Sequence, residues 1–168
     1  MEMTRHGADI DRQEEWAELR ARHLQAPDER PVSSARGLHH LALISSDVDR
    51  TIRFYQDLLE FPLTELFENR DYQGSTHFFF DIGNGNLLAF FDFPGLDLQT
   101  YGELLGGLHH IAISVTPERW EHLRSKLDAA GVPTMHVSGS SLYFTGPDGE
   151  RLELLKDPLR EMYGSTVA

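Results

Sequence analysis

The sequence predicts an α+β fold built from two copies of a strand–helix–strand–strand–strand module behind a helical extension. Residues 37–43 read GLHHLAL, and residues 107–113 read GLHHIAI seventy positions later, the self-similarity of a repeated structural unit. Each copy is followed by a helix-start signal and an amphipathic run. Beyond each run lie short β-branched and aromatic stretches separated by turn residues, the pattern of successive strands.

Taken in order, residues 1–36 stand outside the repeat. Trp16, Leu19, His23 and Leu24 fall on one stripe of a helix over about 11–25, which Ala26 and Pro27 end. This extension is expected to pack on the domain or on a second subunit. The first module, 37–100, opens with the repeated strand. Asp47 or Asp49 then starts a helix carrying Ile52, Phe54, Tyr55, Leu58 and Leu59, which stops at Glu60, Phe61 and Pro62. Strands are predicted at 64–69, 75–82 and 87–93, with GNGN at 83–86 as a hairpin turn. The second module, 107–156, repeats the order. Thr116 caps its helix, Pro117 takes the first helical position, and Trp120, Leu123 and Leu127 form the apolar stripe. Strands follow at 134–138, 141–145 and 151–155, with a turn at 147–150. The polar tail, 157–168, is expected to be partly mobile.

Composition excludes several classes of function. The 168 residues carry 15 Lys and Arg against 27 Asp and Glu, a net charge of −12. Such a chain has no basic footprint for nucleic acid or for an anionic membrane surface. Strongly anionic substrates are disfavoured as well, unless local cations such as Arg53, Arg70 and Arg151 offset the field. The absence of cysteine removes disulfides, thiolate metal sites and a cysteine nucleophile together. A bound metal must therefore use nitrogen and oxygen ligands. Without an apolar leader or a stretch long enough to span a bilayer, the chain reads as a cytoplasmic protein. What remains conspicuous is nine histidines.

Strand alternation sorts those histidines. Leu41 and Leu43 share one face with their counterparts Ile111, Ile113 and Val115, so that face packs on the helices. The opposite face carries His40, Ala42 and Ile44, and in the second copy His110, Ala112 and Ser114. Small residues beside a histidine leave space there, so a cavity is expected. In the last strand Leu152 and Leu154 face the helices, which puts Glu153 on the cavity side. A buried carboxylate is costly unless it is paired or binds a metal. Two imidazoles and a carboxylate make the 2-His-1-carboxylate arrangement, which leaves positions open for substrate, water or O₂. His39 and His109 have the other parity and are expected to act as structural or supporting hydrogen-bonding groups.

With these segments in place, the chain resembles the vicinal oxygen chelate superfamily, which includes glyoxalase I, fosfomycin and bleomycin resistance proteins, methylmalonyl-CoA epimerase and extradiol ring-cleavage dioxygenases. The resemblance rests on His40 to Leu43 with Asp47, on Phe54 to Leu59, on His110 to Ile113, and on the run from Tyr143 to Glu153. It spans about residues 37–155. It implies two βαβββ modules forming a cup-shaped mixed sheet around a divalent metal, commonly in a homodimer, with His40, His110 and Glu153 as ligands.

Chemistry diverges within this superfamily. Glyoxalase-like members use a second carboxylate near the end of the first module's final strand, where this chain has Ala89; Asp92 and Glu65 are the available substitutes. The spacing from Thr134 and His136 through Leu142, Tyr143, Gly146, Pro147 and Gly149 to Glu153 looks like the extradiol dioxygenase signature. It departs at Gly146, where a small polar or acidic residue is usual. It also lacks the histidine such enzymes carry shortly before the second ligand, at the place of Asp92 or Phe93. The resemblance makes Tyr143 and His136 the catalytic candidates. His77, Phe79 and Phe91 are the candidates for lining a substrate site, with Phe93 as a further aromatic wall.

The expected function is an extradiol-type dioxygenase with Fe(II) or Mn(II), Zn, Ni or Co being alternatives, acting on a small catechol-like molecule. A Lewis-acid lyase, isomerase or transferase is the first alternative, and a dimer that sequesters an apolar ligand without catalysis is the second.

Overall fold

The computed structural model describes residues 11–167 and divides into two compact units, one ending at Arg36 and the other beginning at Gly37. The first ten residues of the predicted extension lie outside the described residues. In the first unit, α1 (Gln13–His23) has Glu14 and Glu15 in its first turn and Arg20, Arg22 and His23 in its last, each matching the helix dipole. None of its residues is buried. Among the described residues, no helix is long and apolar enough to cross a membrane.

The second unit holds the repeat. The first module forms β1 (His40–Ile44), α2 (Val48–Ile52) continued by π-helical turns over Arg53–Leu58, β2 (Leu63–Glu68), β3 (Thr76–Asp81) and β4 (Leu87–Phe91). Asp47 is the cap that starts α2, its carboxylate accepting from the Arg50 N–H at 3.0 Å. The second module forms β5 (Ile111–Ser114), α3 (Pro117–Ala129), β6 (Met135–Val137), β7 (Ser141–Thr145) and β8 (Arg151–Leu155). Thr116 caps α3 and Pro117 stands at its start, as the sequence predicts. The tail adds a short exposed hairpin of β9 (Glu161–Met162) and β10 (Ser165–Thr166).

Each module makes its own four-stranded mixed sheet, in the orders β1-β4-β3-β2 and β5-β8-β7-β6. The strand that begins each module pairs parallel with the strand that ends it, and the other pairings are antiparallel. The two orders are equivalent, so β1 and β5 are equivalent edge strands. The GNGN turn connects β3 to β4, with Gly83, Asn84 and Gly85 all at positive φ, the left-handed region that glycine and asparagine enter at low cost.

One face of each sheet is buried in a single core. Tyr55, Phe78, Phe80, Leu88 and Phe90 from the first module join Ile111, Ile113, Trp120, Leu127, Leu142, Leu152 and Leu154 from the second. Tyr55 lies 5.0 Å from the Phe90 ring and 5.4 Å from that of Phe80. Each such side chain contributes about 1.5–3 kcal/mol through burial.

Polar links between the modules gather on carboxylates: Glu150, Glu60, and Asp148, which accepts from the Ser46 N–H at 3.1 Å and from Arg50 Nη2 at 2.8 Å. Tyr55 Oη donates to Glu150 Oε1 at 2.6 Å, while the Asp148 N–H donates to Glu150 Oε2 at 2.9 Å. Burial raises the Glu150 carboxyl above its ordinary range, and these hydrogen bonds oppose that rise. Gly146 is explained here, because a Cβ at that position would collide with the Glu150 carboxylate. Glu60 accepts from His122 Nε2 at 2.8 Å, Arg119 Nη1 at 2.8 Å and Lys126 Nζ at 3.0 Å. Hydrogen bonds from His122 and then Lys126 hold its carboxyl down at about 2.

Gly146→Ala should destabilise the protein by about 1–3 kcal/mol, because Glu150 must move off Tyr55 to admit the methyl group. A chemical-denaturation midpoint reads this, and an unchanged midpoint contradicts the packing described. Because the Glu60 pKa is depressed on folding, its stabilisation is present above the ordinary carboxylate pKa and is lost as pH falls towards about 2. Glu60→Gln should accordingly lower Tm at pH 7, with the gap to wild type closing between about pH 4.5 and pH 2.

Candidate functional site

The outer face of the first sheet, away from the core, is read from the register. Ala42 stands beside Ala89, which stands beside Phe79, and Ile44 stands beside Phe91, which stands beside His77. His40 is at the start of the same edge strand, exposed. Its ring centre lies 6.0 Å from that of Phe79; Phe79 lies 4.2 Å from His77, and His77 stacks on Phe91 at 3.8 Å and 19°. Phe67 closes the group, 5.3 Å from His77. Burial, and then the charge of His40, lower the His77 pKa, and its Nε2 is buried without a hydrogen-bond partner. Burial favours the neutral ring.

On the second sheet, Ala112 stands beside Glu153, which stands beside Tyr143. Glu153 is 1% exposed, and its Oε2 lies 3.1 Å from His110 Nε2. Neither carboxylate oxygen has a hydrogen bond of normal geometry. The Tyr143 ring centre is 5.7 Å from that of His110, and the Arg151 guanidinium lies 5.1 Å from the Tyr143 ring. Burial, followed by the Glu153 carboxylate, pushes the Tyr143 phenol up to about 12. Arg151 also donates to Glu103 Oε1 at 3.2 Å.

Two cavities border the small residues of the repeated strands, and neither is lined by His40, His110 or Glu153. A cavity of about 680 Å³ opens over Ala42 and Ile44, walled by residues 92–101, Asp148 and Glu150. Another, of about 450 Å³, borders Ala112 and Ser114 beneath the first module's GNGN turn.

Of the predicted site residues, the structure brings His110, Glu153 and Tyr143 together on one sheet. It places His40, His77, Phe79 and Phe91 together on the other. Among the described residues, no three histidine or carboxylate side chains lie close enough to share a metal ion. His40 thus does not meet His110 and Glu153 within one chain.

His136 lies elsewhere. Its strand neighbour is Leu142, in the core, whereas Met135 is the residue level with Tyr143. The His136 ring stands edge-on to Trp120 of α3 at 5.5 Å, so it occupies the helix side of the sheet, opposite Glu153. Ala89 is fully buried, and neither suggested substitute is a free base beside His40: the Asp92 carboxylate accepts from the Thr76 N–H, and Glu65 is level with Phe79 on the outer strand. Phe67 joins the aromatic group without a signal in the sequence. An irregularity between Leu63 and Glu65 shifts the phase of β2, and simple alternation along that strand misses it.

The residues fit a divalent cation as far as one chain carries them. A carboxylate buried with both oxygens unsatisfied costs on the order of several kcal/mol, and a cation held jointly with an imidazole removes that cost.

The repeated modules and this arrangement define a family. A model of the Glyoxalase/Bleomycin resistance protein/Dioxygenase superfamily matches residues 37–154, and the chain belongs to that superfamily. Among curated relatives, it is 29% identical over 99 residues to the putative ring-cleaving dioxygenase MhqE of Bacillus subtilis (strain 168). That match covers 57% of this chain and 32% of MhqE, so the chain spans about a third of that relative's length. It is 28% identical over 133 residues to the metallothiol transferase FosB of Shouchella clausii (strain KSM-K16), covering 74% of this chain and 83% of FosB. A crystal structure of the fosfomycin resistance protein FosX from Listeria monocytogenes, complexed with Mn(II) and sulfate, is 25% identical with a TM-score of 0.56, covering 76% of this chain and 97% of FosX.

Glu153→Gln keeps the shape of the side chain and removes its charge. Without metal its Tm should change little, because removing the charge relieves an unsatisfied buried carboxylate while weakening its 3.1 Å approach to His110 Nε2, whereas the Tm rise that saturating Mn(II) or Co(II) gives wild type should vanish. A Glu153→Gln variant that melts several degrees lower in EDTA would show that the carboxylate is a structural group.

Proposed function

We propose that this chain is a divalent-metal-dependent enzyme that opens the ring of a small aromatic compound bearing two adjacent oxygens, with O₂ as co-substrate. His110 and Glu153 provide two of the ligands, and His40 of a second copy provides the third. The observation that carries the metal reading is the buried Glu153 carboxylate, unsatisfied at both oxygens, 3.1 Å from the His110 imidazole. Completion by a second copy is supported by the edges: β1 and β5 each leave one side unpaired in their sheets, and each carries or adjoins one of the two histidines.

A divalent ion at such a site supplies a Lewis-acid centre with positions open to two adjacent substrate oxygens. The protein's own groups do the rest. Tyr143, protonated until about pH 12, donates a hydrogen bond towards an oxygen beside Glu153 throughout the physiological range. Phe79, Phe91 and neutral His77 offer flat faces to a ring. The residues of the first sheet's outer face include neither Lys nor Arg but do include Glu65 and Asp81, which favours an uncharged ring over a phosphonate. This part of the reading sets the chain apart from its fosfomycin-linked relatives. His136 has no part in it.

A second reading, Lewis-acid transfer or isomerisation without O₂, draws support from the position of His136 behind the sheet, because that histidine is the residue distinguishing the dioxygenase signature. Anaerobic reconstitution with Fe(II), followed by oxygen-uptake assays over a panel of catechols, separates the two. Uptake is expected; turnover that proceeds under strict exclusion of O₂ with Ni, Co or Mg would favour the second reading.

Shared ligation has its own test. His40→Ala and Glu153→Gln should each abolish metal binding alone, and mixing the two after partial unfolding should restore about one intact site per mixed dimer. No recovery on mixing, with wild type binding one ion per chain as a monomer, would place all three ligands in one chain.

A further inference from the structure

Resting on the proposed metal site, we infer that His39 and His109 are positioning residues, each fixing the tautomer of the histidine that follows it so that Nε2 is free to bind a metal. In the first module His39 Nδ1 lies 2.8 Å from His40 Nδ1. In the second, His109 Nδ1 lies 2.6 Å from His110 Nδ1. The two pairs hold their rings at nearly the same tilt, 76° and 73°, with centres 5.1 and 4.9 Å apart. The same contact is thus built twice, seventy residues apart, at the two positions proposed as ligands.

Its direction follows from hydrogen-bond chemistry. Two neutral imidazoles facing each other through Nδ1 share one proton, so one ring donates and the other accepts. A ring that binds metal through Nε2 needs its proton on Nδ1, and then it is the donor. His109 must accept, which places its own proton on Nε2. That nitrogen lies 3.9 Å from Glu103 Oε1, a carboxylate that Arg151 holds at 3.2 Å. The carboxylate favours a proton on His109 Nε2 and so supports the assigned direction. The alternative direction puts a proton on His110 Nε2, 3.1 Å from Glu153 Oε2, in the place a metal ion shared by the two groups would take. Metal binding through Nε2 therefore needs the His109 contact to hold the proton on Nδ1.

The expectation separates the loss of an acceptor from the loss of a ring. His109→Phe keeps the shape and removes the acceptor, whereas His109→Gln offers a carbonyl oxygen at similar reach; His109 is exposed, so neither change touches the core. In metal-free protein, imidazole ¹⁵N shifts should show His110 as the Nδ1–H tautomer in wild type and in His109→Gln, and as a mixture in His109→Phe. Co(II) titration against a chelator should give a roughly 10–100-fold weaker affinity for His109→Phe and near-wild-type affinity for His109→Gln, with the corresponding His39 variants behaving alike. An Nε2–H tautomer in wild type, or equal Co(II) affinity in the Phe variant and wild type, overturns this role and leaves the metal site standing. If wild type itself binds no Co(II), and His110→Ala is indistinguishable from it, the metal reading fails and the positioning role fails with it.

Discussion

Burial of one face of each sheet in a shared apolar core is the constraint on which the rest of the structure depends. Leu152 and Leu154 must enter that core beside Phe78, Phe80 and Phe90, and a strand alternates by geometry. Glu153, between the two leucines, is then forced to the outer face of the second sheet. The same alternation turns His40, Ala42 and Ile44 outward on the first. A site made of imidazole and carboxylate is what remains once each strand has committed its apolar side chains inward.

The polar contacts between modules guard that core. Tyr55 carries one of its largest buried rings, and the Tyr55 hydroxyl reaches a carboxylate from the turn that leads into β8, the strand of Glu153. Gly146 has no side chain because that carboxylate occupies the space. Glu60 gathers Arg119, His122 and Lys126 of α3 at the end of the first helical segment, so the helices on the core side are tied across the repeat. The Glu60 group lies on the helix side, whereas Glu150 also walls the cavity over Ala42 and Ile44.

The two outer faces differ in chemistry although the modules repeat. The first carries an aromatic group of Phe67, His77, Phe79 and Phe91, and the second carries Tyr143, Arg151 and the unsatisfied Glu153. Apolar recognition and charge are thus divided between the halves. A substrate that touches both must present a flat apolar body to one and oxygen atoms to the other, which is the chemical content of the reading given for the reaction.

The sequence by itself determined the repeat, the start of each helix at Asp47 and Thr116, and the face on which His40, His110 and Glu153 lie. These are local properties: a cap, a proline and a two-residue period act over a few residues and leave their mark in the order of the chain. The partition of space was decided by tertiary structure. Residue spacing put His136 with Tyr143 in one signature, yet the β6–β7 register sets His136 level with Leu142 and against Trp120, because register is fixed by the turn and by what each face buries. Spacing could not show that His40 stands apart from His110 and Glu153 within one chain either, since that depends on where two separate sheets end. The pairing of His39 with His40, and of His109 with His110, also needed coordinates: neighbours in a strand point to opposite sides, and only the local backbone at the strand's start brings their rings together.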